Sequence, residues 1–171
     1  MVNAVASPAS DRVARAWDVL AHVPDPEVPA LSLVDLGVVR AVRDGAAGLE
    51  VDLTPTYSGC PATAAIALDA RLALERAGLG PVRIATVTDP AWTTDWIGPA
   101  AREKLRAHGI APPIGKAPKG KRALFAEDVR PACPRCDSGR VEKTSEFGST
   151  ACKALYRCLA CREPFEYFKC I

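Results

Sequence analysis

Two pairs of cysteines, Cys133-Pro-Arg-Cys136 and Cys158-Leu-Ala-Cys161, limit the folds open to this chain more than any other feature. Cysteines three apart can turn both sulfurs toward one ion in a tight turn. Two such knuckles supply the four thiolates that tetrahedral Zn²⁺ prefers. The pairs are separated by 21 residues, marginally beyond the usual ribbon spacing and enough for a hairpin. That hairpin is expected to run from Val141 to Phe147, turn at Gly148 and return from Cys152 to Arg157, with Phe165, Tyr167 and Phe168 on a third strand. A module of about 40 residues is too small to rest on an apolar core alone, so a metal whose binding is coupled to folding would staple it. The same thiolates suit a single iron or an iron–sulfur cluster. Spacing does not choose among these, and zinc is the default because nothing else in the segment signals redox chemistry. The plain alternative is four reduced thiols in a small core. Cys152 and Cys170 fall outside the paired set, and packing, further ligation and transfer chemistry all stay open for them.

The chain has 7 cysteines, and Cys60 is the one that lies ahead of this tail. Met1 to Ser10 offers neither a basic region nor an apolar core, so no signal peptide is expected. No apolar run approaches the roughly 20 residues of a membrane helix. A reducing, cytoplasmic setting follows as the expectation, and there clustered thiols point to metal before disulfides. The net charge of +2 is too small to argue for nucleic acid. Charge is unevenly spread: residues 1–110 hold 10 basic and 13 acidic side chains, 111–130 hold 5 and 2, and 131–171 hold 7 and 5. The middle stretch, from Ala111 to Arg122 rich in Pro, Gly and Lys, cannot hold a helix or a central strand and is read as a basic linker. Three parts are therefore expected: an α/β domain over 11–110, a linker over 111–130 and a cysteine module over 131–171.

Within the first part, Val13, Ala16, Trp17, Leu20 and Val23 recur at helical spacing behind Ser10, a candidate N-cap, and Pro24, Pro26 and Pro29 stop the helix. Val38 to Arg43 and Leu49 to Thr54 read as a hairpin across Gly45 and Gly48. In the second of these strands Leu49, Val51 and Leu53 face the core, while Glu50, Asp52 and Thr54 face water. A second helix is expected from Pro61 to Gly78 and a third strand from Val82 to Val87, parallel to the second by a right-handed crossover. Pro99 to His108 closes the domain as a last helix, stopped by Gly109. The fold class is α/β in the α+β sense: a small domain of helices on a mixed three-stranded sheet, followed by a β zinc ribbon.

Cys60 directly precedes Pro61, near the expected start of the second helix. Unpaired backbone N–H groups and the helix dipole favour a thiolate there, the form that attacks or ligates metal. An inert packing cysteine is the alternative. Asp25-Pro-Glu27 and Asp35-Leu-Gly37 place acidic residues beside turn formers, as ligands or, more simply, as turn anchors. Trp92 and Trp96 are expected to anchor the last helix to the core. His22 and His108 stand far apart and belong to no E-x-x-H pair, so the chain has no di-iron bundle signature. A P-loop, a dinucleotide fingerprint and a nucleophile elbow are likewise absent from the sequence.

Taken together, Asp25-Pro-Glu-Val-Pro29, Asp35-Leu-Gly37, Thr54-Pro-Thr-Tyr-Ser-Gly-Cys-Pro-Ala-Thr63 and Trp92-Thr-Thr-Asp-Trp96 resemble a family of small iron–sulfur assembly-type domains that includes SufT-like proteins. The tail, Ser145 to Cys158 and Glu163 to Ile171, narrows the resemblance to PaaD-type subunits of phenylacetyl-CoA epoxidase systems, over roughly residues 11–171. The resemblance implies a cytoplasmic accessory component of a ring-epoxidising oxygenase whose other subunits carry the di-iron and reductase centres. It implies a part in maturing or delivering a metal centre, with those subunits and the iron–sulfur assembly machinery as partners. Cys60 matches the family's motif cysteine, Asp25, Glu27 and Thr56 its accompanying polar positions, and Cys133, Cys136, Cys158 and Cys161 the ribbon ligands. A structural Zn²⁺ and a transient iron or iron–sulfur cluster are the cofactors so implied. Membrane association is not implied, and neither is nucleic-acid binding. A purely structural role in the oxygenase complex is the alternative.

Overall fold

The computed structural model describes residues 8–115, 117 and 130–171, the side chains of residues 8–10 excepted. Most of the expected linker, including Lys119 to Arg122, lies outside the described residues. The chain divides into two compact units, Met1–Ala91 and Trp92–Ile171.

In the first unit, helix α1 spans Pro8–Leu20, so Ser10 lies within the helix rather than capping it. Ala16 and Leu20 are its fully buried positions, one turn apart. Strands β1 (Val39–Gly45) and β2 (Gly48–Leu53) pair antiparallel from Val39↔Leu53 to Gly45↔Gly48, with a register shift between Val39 and Ala41. Helix α2 (Thr63–Arg76) buries Ile66, Ala70 and Leu74 at a four-residue repeat, and β3 (Val82–Thr86) then pairs parallel to β2. The sheet order β1-β2-β3 is the mixed three-stranded arrangement expected from sequence. The segment between α1 and β1 is not a surface loop in the ordinary sense. Val28, Leu31, Leu33, Leu36 and Val38 are all buried, and a bridge between Pro24 and Ser32 closes it. Arg12 holds the unit across its ends, donating to the Asp44 carboxylate at 2.7 Å and to the Leu79 carbonyl at 2.8 Å.

One strand position differs from expectation. Alternation puts Thr54 on the wet face with Glu50 and Asp52, but it is buried. Its N–H donates to the Val38 carbonyl at 2.8 Å, which turns the chain inward just past the end of β2. The alternation rule holds only while the strand is paired and pleated.

The second unit carries a 3₁₀ turn at Thr94–Trp96, helix α3 (Pro99–Ala107) and a four-stranded sheet ordered β4-β7-β6-β5. Strands β5 (Val141–Ser145), β6 (Lys153–Cys158) and β7 (Pro164–Phe168) are antiparallel neighbours, as the sequence predicts. The two-residue strand β4 (Ile110–Ala111) adds parallel to β7, where composition places the start of the linker. The boundary between the two compact units lies between Ala91 and Trp92. Trp92 packs on Phe168 with ring centroids 6.1 Å apart, and the Ile171 carbonyl accepts the Thr94 N–H at 3.0 Å. The tryptophan anchor thus holds the segment to the ribbon, a long-range contact that local periodicity does not encode. The ribbon core comprises Ala111, Val141, Ala154, Tyr156, Phe165 and Tyr167 together with Cys133 and Cys158. Tyr156 stacks on Phe165 and meets Tyr167 edge-on.

Lys153 is 2% exposed, rare for a charge unless it is paired. Its ammonium lies 2.8 Å from Glu166 Oε2, while Glu166 Oε1 accepts the Ser149 N–H at 2.6 Å. This pair pins the β5–β6 connection, whose Gly148 N–H in turn donates to the Lys153 carbonyl. Burial alone would raise the Glu166 carboxyl, but the bonds from Lys153 and Ser149 outweigh it and hold it below its ordinary value.

Gly48, at φ +126°, leaves no room for a side chain, because a Cβ would overlap the Pro81 carbonyl. Gly48→Ala should cost about 1–3 kcal/mol in denaturant unfolding by forcing β2 and β3 apart where their pairing begins. Glu166→Gln should cost about 1–2 kcal/mol near neutrality, less than a fully buried pair because Glu166 keeps solvent access. A lowered carboxyl contributes stability above the ordinary carboxylate range and loses it as pH falls through the folded value. The gap between wild type and Glu166→Gln should therefore narrow on acidification, read as paired unfolding curves at stepped pH.

Candidate functional site

The second unit brings all four knuckle cysteines together: the sulfurs of Cys133, Cys136, Cys158 and Cys161 lie within 4.8 Å of one another. Cys133 and Cys158 are buried and Cys136 and Cys161 exposed, so each knuckle presents one sulfur from the core and one from the surface. The two knuckles are built alike. Asp137 (φ 61°) and Arg162 (φ 66°), each directly after the second cysteine of its pair, are the non-glycine residues with positive φ among those described. This left-handed step curls the backbone around the sulfurs. The Cys133 N–H donates to the Ser138 carbonyl and the Cys158 N–H to the Glu163 carbonyl, closing the same loop in both.

The donor set fits a tetrahedral metal. Sulfurs each about 2.3 Å from one ion would sit about 3.8 Å apart. Cys133–Cys161 is 3.7 Å and Cys136–Cys158 3.6 Å. Without a cation, four thiolates so close cannot all ionise. Backbone N–H groups, first that of Cys161, pull the Cys158 thiol down to about 6. The Glu163 N–H also pulls on Cys161, but desolvation and the neighbouring sulfurs push that thiol up to about 12. A divalent ion removes this conflict by binding all four as thiolates.

Cys60 has a different setting. It is half-buried in the β2–α2 connection, with its N–H donating to the Tyr57 carbonyl at 3.2 Å. Its carbonyl accepts the Thr63 hydroxyl at 2.8 Å. Helix α2 begins at Thr63 with Ala62 as its cap, so Cys60 stands two residues ahead of the cap and Pro61 is not the first helical residue. Gly59, at φ +82°, has open space where a Cβ would stand, so the loop beside the thiol faces solvent.

Asp25 is buried, and its Oδ1 accepts the N–H groups of Glu27 (2.9 Å) and Val28 (2.8 Å). It anchors the turn that begins the buried segment before β1. Glu27 is exposed and Thr56 buried. Ser32 and Asp35 bond reciprocally: the Ser32 N–H reaches the Asp35 carboxylate at 3.0 Å, and the Asp35 N–H reaches the Ser32 hydroxyl at 3.0 Å. Among the described residues, the knuckle cysteines are the one group of three or more His, Cys, Asp or Glu side chains placed to hold an ion; Cys60, Asp25 and Glu27 do not form a second. Cys152 is buried beside the Thr150 hydroxyl at 3.0 Å, and the Cys170 thiol donates to the Ile114 carbonyl at 3.1 Å. Neither joins the four-sulfur group.

Sequence reasoning passes over Thr54. Its Oγ1 is the buried side-chain polar atom without a hydrogen-bond partner among the described residues, and it opens the connection that carries Cys60. A threonine directly before a proline at a strand end is the available signal, and the alternation pattern masks it.

Comparison with known proteins accounts for both units. A family model described as an iron–sulfur cluster assembly protein matches residues 14–88, and one described as a PaaD zinc beta ribbon domain matches residues 117–169. A crystal structure of a domain of unknown function, DUF59, from Bacillus anthracis shares the fold, with a TM-score of 0.52 at 23% identity over 56% of this chain and 92% of that one. A protein of Escherichia coli (strain K12), described as one of the subunits of a 1,2-phenylacetyl-CoA epoxidase, is 50% identical over 98% of both chains. An assembly-type α/β unit, a four-cysteine ribbon and this similarity along nearly the whole length together place the chain in the PaaD family of phenylacetyl-CoA epoxidase subunits.

Proposed function

We propose that this chain is a cytoplasmic accessory subunit of a phenylacetyl-CoA 1,2-epoxidase and assists the maturation or delivery of that oxygenase's iron or iron–sulfur centre. The observation that carries the reading is the contrast between its two thiol sites. The ribbon offers a closed four-sulfur set, suited to a permanent Zn²⁺ that staples a small fold. Cys60 offers one half-buried thiol on a solvent-facing loop, with no preassembled set of three ligands around it among the described residues. A single protein thiolate leaves coordination positions free for a donor and then a client, which suits cargo that must leave. On ligating, the Cys60 thiol gives its proton to solvent, and on release it takes one back, so the exchange needs no oxidant. The buried Thr56 lies in the same connection, and we place it with Cys60 in the transfer site. Asp25 serves through the turn it anchors, and Glu27 is the exposed carboxylate of that turn. The partners are the other epoxidase subunits and the iron–sulfur assembly machinery, as the description of the Escherichia coli relative and the assembly-domain family suggest.

Two experiments test this. Cys133→Ser, or a strong chelator, should remove bound zinc and unfold the ribbon, read as lost dispersion of the amide signals of residues 131–171 and restored for the wild type by added Zn²⁺. Cys60→Ser should fold and keep one zinc per chain, yet leave co-expressed epoxidase subunits short of iron and lower epoxidase activity in cells at least tenfold. Equal iron content and activity with Cys60→Ser would instead favour a purely structural role.

A further inference from the structure

Among the described residues strand β3 is an edge of its sheet, and its backbone geometry states what that edge offers. The Leu49 N–H donates to the Pro81 carbonyl at 2.9 Å, and the Val87 N–H donates to the Leu53 carbonyl at 2.8 Å. In a parallel ladder the bonding residues of a strand alternate. Residues 81, 83, 85 and 87 therefore face β2, and Val82, Ile84 and Thr86 turn both N–H and C=O toward the open side. The same edge borders a groove of about 480 Å³ between α2 and β3, lined by Ala64, Ala67, Leu68 and Arg71 from the helix and by Val82, Arg83 and Ile84 from the strand. Ala64 and Ala67 present small side chains to the groove, and Leu68 is 46% exposed there.

The charge around the groove selects the occupant. Arg71 is exposed in the groove wall. By strand alternation the Arg83 side chain leaves on the sheet face it shares with its register partner Glu50, 3.8 Å away, and is 79% exposed. A strand laid along β3 would thus have an arginine on each side of it. A second copy pairing through the same edge would bring these cations together with their own counterparts, which opposes self-association.

We propose that the β3 edge is a docking site for an extended segment of a partner protein that carries apolar and acidic side chains, taken up as a fourth strand. Main-chain bonds to Val82, Ile84 and Thr86 supply the affinity, and apolar residues enter the groove beside Leu68 while carboxylates on the other face of the added strand meet Arg83. The site is independent of the Cys60 chemistry and stands whether or not this chain transfers metal.

The test uses the full-length ¹⁵N-labelled chain and an eight-residue peptide alternating valine and glutamate, with a valine–lysine peptide as control. The expected result is slow hydrogen exchange, at least tenfold slower than in the free chain, at the amides of Val82, Ile84 and Thr86 with the glutamate peptide only. Leu68→Glu, a change on an exposed side chain, should weaken that binding at least tenfold while leaving the circular dichroism unchanged. Ile84→Pro, which removes one outward N–H and none of the bonds to β2, should do the same. The proposal is overturned if these amides are already protected in the free chain, if both peptides act alike, or if protection rises with protein concentration alone, the mark of a second copy on the edge.

Discussion

Four sulfurs within 4.8 Å of one another govern the second unit. As thiols they waste the space, and as thiolates they repel. A cation at their centre would make the arrangement favourable, and the backbone of both knuckles curls around the place it would take. Two left-handed residues, Asp137 and Arg162, repeat the same curl at the same place in both knuckles. That strain would not persist twice without a common cause. Cys133 and Cys158 are also part of the ribbon's apolar core, so the metal site and the aromatic cluster around Tyr156 share atoms rather than merely adjoin. Folding and metal binding in such a module are one event.

The first unit solves the opposite problem. Its core is apolar, drawn from two helices, three strands and the segment Val28 to Val38. Polar residues with ligand chemistry are spent on shape: Asp25 and Asp35 hold turns through backbone and hydroxyl bonds. Cys60 stands apart, a half-buried thiol on a loop whose glycine has open space beside it. A closed site and a solitary thiol in one chain differ in how firmly they can keep an ion. That difference in coordination number underlies the proposed division between a permanent and a passing metal.

The placement of polar groups shows where sequence patterns reach their limit. Alternation correctly puts Leu49, Val51 and Leu53 in the core and then fails one residue later at Thr54, where pairing ends and the chain bends inward. Composition places Ala111 in a linker, whereas a parallel partner on β7 makes it a buried strand residue. Nothing in the sequence singles out Lys153, and only the nearby Glu166 and Ser149 reveal a buried ion pair.

Spacing and periodicity along the chain were enough for the knuckles, the hairpin between them, the strand–helix–strand order of the first unit and its β1-β2-β3 sheet. Each depends on neighbours within a few residues, on a repeat, or on the handedness of a crossover, and all of these are local or generic. The motif family was legible for the same reason. Three-dimensional packing decided that Trp92 and Thr94 belong with the ribbon, that Asp25 is bound to its own turn, and that Cys152 and Cys170 stay outside the metal group. Those outcomes depend on which distant side chains meet, and side-chain convergence across tens of residues leaves no periodic trace in a single chain.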